Sequence, residues 1–367
     1  MAALLDIDPA RLRYVTDAEP GIRRTGTKRF RYVDDTTGAP VTNKPTLARI
    51  DALAVPPAWT DVWICADDAG HLQATGRDAR ARKQYRYHPA FRALREHEKF
   101  ADLIPFGEAL PELRRHVEAN LKTGRLDAEA VSSLAVALLD RTVMRVGNEA
   151  YARDNRTYGL TTLRDRHAVI EGGAVSFRFA GKGGRRHELT VEDPRLARLV
   201  RRCRDIPGQQ LLQWVDDDGA RHPLRSEDVN QLLRDVTGLP VSAKAFRTWH
   251  ASVRAAALLA VADPPTSARQ ANSVVCEVVD EVASELGNTR AVCRASYVHP
   301  SVVASYEVGV LAEWWHDGPT RAAGRCTAEE RRLLVLLRKA RRRGLGVTRA
   351  KRSVRRAAKT ATDTAAA

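Results

Sequence analysis

Four basic residues and one tyrosine stand in local settings where their side chains could do chemistry; they are Arg145, Lys182, Lys244, Arg247 and Tyr297. Guanidinium and ammonium groups bind phosphate oxygens, and a phenol can act as a nucleophile. Each residue also has an ordinary structural explanation. An arginine at a helix end contacts free carbonyls, a lysine in a glycine turn is exposed, and a tyrosine packs in a core. Taken one at a time, the five residues do not indicate a function.

Two predicted elements position the first two cations. Residues 127–146 are apolar almost all the way round, which predicts a buried helix that Gly147 ends as its cap and that carries Arg145 at its end. Residues 169–189 alternate around two glycine turns. This pattern predicts a three-stranded meander with Lys182 at the tip of the second turn.

Short β-prone runs give way after His88 to apolar residues at three- and four-residue spacing. Because proline disfavours helix at the residue before it, we predict a domain boundary at His88-Pro89. Strands are predicted over 27–33, 59–66 and 70–75, and helices over 194–204, 226–236, 243–261 and 266–286. Lys244 and Arg247 lie one turn apart on the third of these helices. The predicted fold class is α+β: a small N-terminal twisted β-sheet domain and a larger, mainly α-helical domain that contains the meander.

Common enzyme signatures are missing from the sequence. Gly181-Lys182-Gly183 is not a phosphate-binding P-loop, because position 176 is serine where glycine is required and position 183 is glycine where serine or threonine is required. There is no His-Glu-x-x-His motif, no Gly-x-Ser-x-Gly motif and no acidic cluster spaced for two metal ions. Asp216-Asp217-Asp218-Gly219 is typical of a hairpin turn. The sequence therefore predicts neither a metal nor a nucleotide cofactor.

The sequence also indicates where the protein acts. No apolar run approaches the roughly 20 residues of a membrane helix. Asp6 interrupts the apolar N-terminus, and this pattern argues against a secretory signal peptide. The five cysteines are an odd number without a Cys-x-x-Cys pair, which is typical of a reducing compartment. We expect a cytoplasmic protein.

Positive charge is concentrated at the C-terminal end of the chain. The net charge is +15, and +12 of it lies from Arg321 onward, where 15 basic residues stand against 3 acidic ones. Thr327 and Glu330 match a capping box, so a short helix is expected before a disordered basic stretch that begins at Arg338. Such a tail is typical of an arm that binds a polyanion and releases counterions, and a solubilising tail is the alternative.

Together, and in this order, these residues resemble the type IB DNA topoisomerases, specifically the compact poxvirus-like class found in bacteria. The resemblance runs from about Tyr14 to about Glu307. The motifs that carry it are residues 76–87, Arg145-Val146-Gly147 with residues 157–163, Gly181-Lys182-Gly183, Lys244-Ala245-Phe246-Arg247-Thr248-Trp249, and Asn288 with Tyr297 at the family's spacing. The resemblance implies relaxation of supercoiled DNA by one chain that closes as a clamp around the duplex, at the nucleoid, without ATP or metal.

The resemblance also implies a catalytic set, which is Tyr297, Arg145, Lys182, Arg247, Asn288 and Lys244. Tyr297 would attack the phosphodiester, attach to the 3′ phosphate and expel a 5′ hydroxyl. The two arginines and the asparagine would bind the charge that builds on the phosphate. Lys182, with help from Arg145, would protonate the leaving oxygen, and Lys244 would support the same phosphate.

One catalytic position departs from the viral pattern. Asn288 stands where viral members carry histidine and several bacterial members carry asparagine. An asparagine amide can donate a hydrogen bond to a phosphate oxygen, but it cannot carry charge. A purely acid–base role at this position is therefore not expected.

The N-terminal domain is expected to contact DNA as well. The candidate residues are Arg80, Arg82, Gln84, Tyr85 and Tyr87. Glutamine can read adenine edges, and tyrosine hydroxyls can position backbone phosphates. The alternative for the two tyrosines is an edge strand that buries both rings.

The predicted organisation is residues 1–88 as the N-terminal domain, 89–320 as the catalytic domain and 321–367 as the basic tail. Two other functions stay open at this point. A tyrosine recombinase uses similar basic residues and a late tyrosine, although the N-terminal β domain argues against it. A non-catalytic DNA-compacting protein would explain the tail but not the catalytic set.

Overall fold

The computed structural model describes residues 12–27, 29–92 and 100–346, and it divides the chain into two compact units. The first unit reaches Phe100 and the second begins at Ala101. The predicted boundary at His88 lies short of this division. Within the described ranges, no helix combines the length and the apolar character that crossing a membrane requires.

The first unit contains a five-stranded antiparallel sheet with the strand order β2-β1-β3-β4-β5. Its strands are β1 Ile22–Thr25, β2 Arg31–Asp34, β3 Thr60–Ile64, β4 Leu72–Arg77 and β5 Lys83–Tyr87. Helix α1, Lys44–Ala52, begins where the side chain of Asn43 accepts a hydrogen bond from the backbone N–H of Thr46. Ile22, Ile50 and Ile64 lie in the apolar cluster of this unit.

The first predicted strand in this unit begins at the wrong residue. The sequence pattern favours a single strand over residues 27–33, but the structure has β1 ending at Thr25 and β2 beginning at Arg31. Gly26 lies between them with a φ of +85°, which glycine adopts without strain. The chain therefore reverses at this point, and β1 pairs antiparallel with β2.

The second unit is mainly helical. Its helices are α2 Leu103–Thr123, α3 Ala128–Thr142, α4 Glu149–Asn155, α5 Pro194–Asp205, α6 Ser226–Thr237, α7 Lys244–Val261, α8 Ala268–Glu285, α9 Arg290–Ser296, α10 Pro300–Glu307, α11 Leu311–His316 and α12 Ala328–Arg342. The four helices predicted from 194 to 286 are confirmed as α5 to α8. Phe246 and Trp249 of α7 are fully buried in a continuous apolar core.

The predicted meander is confirmed as a three-stranded sheet of order β6-β7-β8. Its strands are β6 Ala168–Glu171, β7 Ala174–Ala180 and β8 Arg186–Glu192. Strands β9 Gln213–Val215 and β10 Arg221–Pro223 pair around residues 216–219, which confirms the predicted hairpin turn. Together with the first unit, this arrangement confirms the α+β fold class.

Helix α3 ends earlier than the sequence predicts. The last helical residue is Thr142, and Val143 follows in the left-handed conformation with a φ of 55°. Gly147, the predicted cap, lies farther along the chain with a φ of +115°. Arg145 is therefore not in the last turn of a helix, but in a non-helical segment beyond it.

The C-terminal helix is longer than the sequence predicts. The capping box is confirmed, since Thr327 and Glu330 exchange hydrogen bonds at the start of α12. The prediction that disorder begins at Arg338 is wrong, because the helix continues to Arg342. Its apolar stripe extends through Leu337 to Ala340, both of which are buried. The predicted basic stretch from 347 to 367 lies outside the described residues.

Candidate active site

Arg145 is held by backbone pairing between two segments. The Arg145 carbonyl accepts a hydrogen bond from the N–H of Leu160 at 2.9 Å, and the next carbonyl accepts one from the N–H of Thr161 at 2.7 Å. Gly159 allows this close approach, since a Cβ there would lie 2.6 Å from the Arg145 carbonyl oxygen. A fixed backbone therefore positions the arginine, although it follows the helix.

Asn288 is the residue that Arg145 contacts. An Nη of Arg145 donates to Oδ1 of Asn288 at 2.5 Å. Arg185, in the turn between β7 and β8, donates to the Asn288 carbonyl at 3.2 Å. The asparagine amide oxygen is thus occupied by an arginine, which leaves its NH₂ group as the end that can meet a ligand.

Arg247 is buried and joins two helix ends. It is 4% exposed and donates to the carbonyls of Val143 and Leu286, the residues that follow α3 and α8. Burial, together with the charge of Arg145, lowers the pKa of Arg247 from its ordinary value. Both of these partners are uncharged carbonyls, so neither neutralises the guanidinium.

Tyr297 lies against the two cations of α7. Its ring centroid is 5.0 Å from Cζ of Arg247 and 5.9 Å from Nζ of Lys244. The tyrosine ends helix α9, and its carbonyl accepts a hydrogen bond from Oγ of Ser252 at 3.1 Å. Helix α7 therefore fixes the tyrosine and supplies the cations beside it.

Two hydrogen-bond donors in this region are buried and unused. They are Nε of Arg247 and Nδ2 of Asn288, and neither has a partner among the residues that the structure describes. A buried donor left unpaired costs on the order of 1–3 kcal/mol. Guanidinium and amide N–H groups can donate hydrogen bonds to phosphate oxygens. The site thus has two hydrogen-bond donors near Tyr297 that could bind an anion.

Lys182 lies on the turn between β7 and β8, as predicted. It is exposed, and it makes no hydrogen bond or ion pair with any residue in the described ranges. Gly183 and Gly184 follow it with positive φ angles, which gives the turn a conformation that few other residues adopt. The ammonium group is free to meet a ligand.

The predicted contacts of the first unit lie on β5 and the turn before it. Asp78 organises this turn by accepting hydrogen bonds from the side chains of Arg82 and Gln84 and from the backbone of Arg80. Tyr85 and Tyr87 are stacked with their ring centroids 6.0 Å apart. They expose 47% and 40% of their surface, so the alternative that β5 buries both rings is wrong.

Sequence reasoning missed three residues of the site, which are Arg185, His187 and Ser252. Ser252 and Arg185 donate hydrogen bonds to backbone carbonyls, and no sequence pattern indicates such bonds. His187 left a signal, because the alternation along β8 places it in line with the inward-facing Leu189 and Val191. A polar residue on an apolar face is the kind of exception that indicates a site.

The chain combines an antiparallel sheet unit, a helical unit with a three-stranded sheet, and a late tyrosine beside an arginine and a lysine. The sequence comparisons identify its family. Residues 88–310 match the family described as eukaryotic DNA topoisomerase I, catalytic core. Residues 29–78 match the bacterial DNA topoisomerase IB, N-terminal domain. The chain belongs to the type IB DNA topoisomerases.

Individual relatives agree with the family match. DNA topoisomerase 1B of Acanthamoeba polyphaga mimivirus is 31% identical over 291 residues, which cover 77% of this chain and 86% of the viral one. DNA topoisomerase 1B of vaccinia virus (strain Copenhagen) is 25% identical over 167 residues, or 44% of this chain and 52% of the relative. DNA topoisomerase 1 of Mycosarcoma maydis is 29% identical over 188 residues, or 46% of this chain and 18% of the relative.

Proposed function

We propose that this chain relaxes supercoiled duplex DNA by cutting one strand through a 3′-phosphotyrosyl link at Tyr297, without ATP or a metal ion. Membership of the type IB family supports the reaction. The observation that supports the assignment to this site is the pair of unused, buried donors, Nε of Arg247 and Nδ2 of Asn288, beside the tyrosine. A phosphodiester would satisfy both donors.

Cleavage begins with attack of the Tyr297 phenol oxygen on phosphorus. The new bond joins that oxygen to the 3′ phosphate, the bond from phosphorus to the 5′ oxygen breaks, and the phenol proton passes to water. Negative charge grows on the non-bridging oxygens. Arg145, Arg247 and the Asn288 amide meet this charge with donors whose positions are already fixed.

The leaving 5′ oxygen is a strong base and needs a proton. Lys182 is exposed on its turn and has no competing partner among the described residues, so it can donate one, with Arg145 assisting. Lys244 lies one helical turn before Arg247 and supports the same phosphate as a point charge.

Religation reverses these steps. The phosphotyrosyl ester keeps the energy of the broken phosphodiester, so no nucleotide is consumed. The free 5′ end swivels around the intact strand before its hydroxyl attacks the ester and releases Tyr297. The net result is a change in DNA linking number.

The first unit supplies contacts to the same duplex. Tyr85 and Tyr87 present exposed rings and hydroxyls to the DNA backbone. Gln84, Arg82 and Arg80 lie beside them, in and next to the turn that Asp78 organises. A single chain that closes around DNA needs no second copy, so we take the monomer at the nucleoid as the working form. The tail beyond residue 346 adds sequence-independent affinity.

The test is relaxation of a negatively supercoiled plasmid by the purified chain in EDTA and without nucleotide. We expect a ladder of topoisomers, because fixed side-chain cations already meet the charge of the phosphate. Relaxation that appears only when Mg²⁺ or ATP is added back would contradict the proposal. Recombined products from two marked plasmids would favour the recombinase alternative.

A further inference from the structure

His187 is a polar residue on an apolar strand face. Strand β8 pairs with β7 so that Val191, Leu189 and His187 are opposite Val175, Phe177 and Phe179. The other members of this row are aliphatic or aromatic. The imidazole stacks on the ring of Phe179 with the centroids 5.2 Å apart and the planes at 19°. The packing therefore holds the histidine in one orientation.

The imidazole fills the space beside two glycines. A Cβ built on Gly181 would lie 2.6 Å from Nε2 of His187, and one built on Gly287 would lie 2.7 Å from Cε1. The backbone of Gly181, with a φ of −90°, is open to any residue. Glycine is required there because of the imidazole ring and not because of the backbone.

These two glycines each precede a proposed active-site residue. Gly181 comes directly before Lys182, and Gly287 comes directly before Asn288. The hydrogen bond from Arg185 to the Asn288 carbonyl joins the same two segments a second time. The imidazole is thus the packing contact between the turn that carries the lysine and the segment that carries the asparagine.

The surroundings of the ring keep it uncharged. Burial and the charges of Arg145, Arg247 and Arg185 lower the pKa of His187 from its ordinary value. Neither ring nitrogen makes a hydrogen bond to a residue that the structure describes. His187 and two of these arginines line one cleft. Its contribution to the site therefore comes from the shape of the ring and not from charge.

We infer that His187 is a positioning residue for strand cleavage: its ring, packed between Gly181 and Gly287, keeps Lys182 and Asn288 at the places where they act on the phosphodiester. The inference rests on the roles proposed above for those two residues. A displacement of about 1 Å at a reacting centre can slow a reaction by roughly 10²-fold. Loss of the imidazole ring should therefore lower the rate of strand cleavage.

The first experiment is single-turnover cleavage by the His187→Ala variant at saturating DNA. We expect cleavage to be roughly 10²-fold slower than in the unmodified chain, with DNA affinity unchanged. The defect should shrink on a substrate whose leaving group is a 5′ thiol, because that group needs no proton from Lys182. Thr190→Ala, on the solvent side of the same strand, is the matched control and should cleave normally. Equal slowing of His187→Ala on both substrates would overturn the inference.

The second experiment uses Gly181→Ala, alone and combined with His187→Ala. The added methyl group meets the imidazole, so the single variant should cleave slowly. Without the imidazole the methyl group has room, so the double variant should be no slower than His187→Ala. Effects that multiply in the double variant would show that the ring and Gly181 act separately, and would overturn the inference.

Lys182→Ala separates the inference from the proposed function. If this variant is slowed equally on the oxygen and thiol substrates, Lys182 is not the general acid. In that case only the comparison of Gly181→Ala with the Gly181→Ala/His187→Ala double variant tests the role of His187. If Lys182→Ala recovers on the thiol substrate and His187→Ala does not, the proposed function stands and the inference about His187 is wrong.

Discussion

Arg247 and Tyr297 in the second unit are 4% and 8% exposed, whereas Tyr85 and Tyr87 in the first unit expose 47% and 40% of their surface. Both groups are proposed to touch the same DNA. The buried pair is fixed by backbone carbonyls at helix ends, through the bonds from Arg247 to Leu286 and from Ser252 to Tyr297. The exposed pair lies on the edge strand β5, where the two rings stack on each other, Tyr87 also meets Phe91, and Lys83 lies over the ring of Tyr85.

This difference in burial agrees with the roles proposed for the two groups. Donors that stabilise a transition state must be in place before the charge develops, so they are built into the protein and are worth more where water is excluded. Residues that hold a duplex must fit a long, solvated backbone, so they remain at a sheet edge. Buried positions therefore favour rate, and exposed positions favour affinity.

Tyr297→Phe should have the largest effect, which is complete loss of strand cleavage with DNA binding retained. Only the nucleophilic oxygen is removed, while the ring keeps its contact with Arg247. The measurement is the covalent protein–DNA adduct after denaturation. Tyr306→Phe is the matched control, since Tyr306 is 3% exposed and donates its hydroxyl to the Asp263 carbonyl. An adduct that persists in Tyr297→Phe and disappears in Tyr306→Phe would show that Tyr306, and not Tyr297, is the nucleophile.

Two carboxylates with similar pKa values, one on the surface and one largely buried, allow a second comparison of the two units, this time of their effect on stability. Hydrogen bonds from Arg82 hold the pKa of Asp78 at about 2 on the surface of the first unit. Burial acts to raise the pKa of Asp140, but hydrogen bonds from His250 and Arg114 outweigh it and hold this pKa at about 2 as well. The side chain of Asp140 is 15% exposed, and Arg114 binds both this carboxylate and that of Glu330 in α12.

Asp140→Asn should lower the free energy of unfolding by about 3 kcal/mol at pH 7, because it leaves Arg114 partly unpaired in the interior. Asp78→Asn should change it little. A carboxylate with a lowered pKa stabilises the folded state above pH 3.8, its ordinary value, and this stability is lost as the pH falls toward 2. Denaturant unfolding between pH 2 and 7 should therefore show a shallower acid limb in Asp140→Asn. An unchanged limb would mean that Asp140 does not stabilise the fold.

Tyr85→Ala should have a smaller effect on the reaction. We expect DNA affinity to fall by about tenfold, or 1.4 kcal/mol, while the single-turnover cleavage rate at saturating DNA stays unchanged. Tyr85→Phe separates the hydroxyl from the ring, and it should lose only part of this affinity. A cleavage rate that falls in Tyr85→Ala even at saturation would contradict the division between rate and affinity.

Removal of residues 347–367 should have the smallest effect. This segment contains Arg349, Lys351, Arg352, Arg355, Arg356 and Lys359. Affinity should fall more at low salt than at high salt, and the slope of log K against log salt should flatten by about 0.9 for each lost phosphate contact. Cleavage at saturating DNA should be unchanged. A truncated chain with the same salt slope would favour the solubilising alternative.

Local patterns were enough to predict several elements of the second unit. The alternation around glycine turns gave the β6-β7-β8 sheet and the place of Lys182, because both depend on residues close in sequence. The capping box of α12 could be predicted for the same reason. The length of α12 could not be predicted, since the packing of Leu337 and Ala340 on the core supports its last turn and is a tertiary contact.

The sequence by itself determined the family, through the order of Arg145, Lys182, Arg247 and Tyr297 along the chain. Only the tertiary structure decided which atoms these residues leave free. Val143, Leu286 and Arg145 bind the neighbouring atoms, whereas Nε of Arg247 and Nδ2 of Asn288 have no partner among the described residues. The packing of His187 against Gly181 and Gly287 was decided in the same way. The hydrogen bonds of Asn288 with Arg145 and Arg185 join residues more than 100 positions apart, and no local pattern records them.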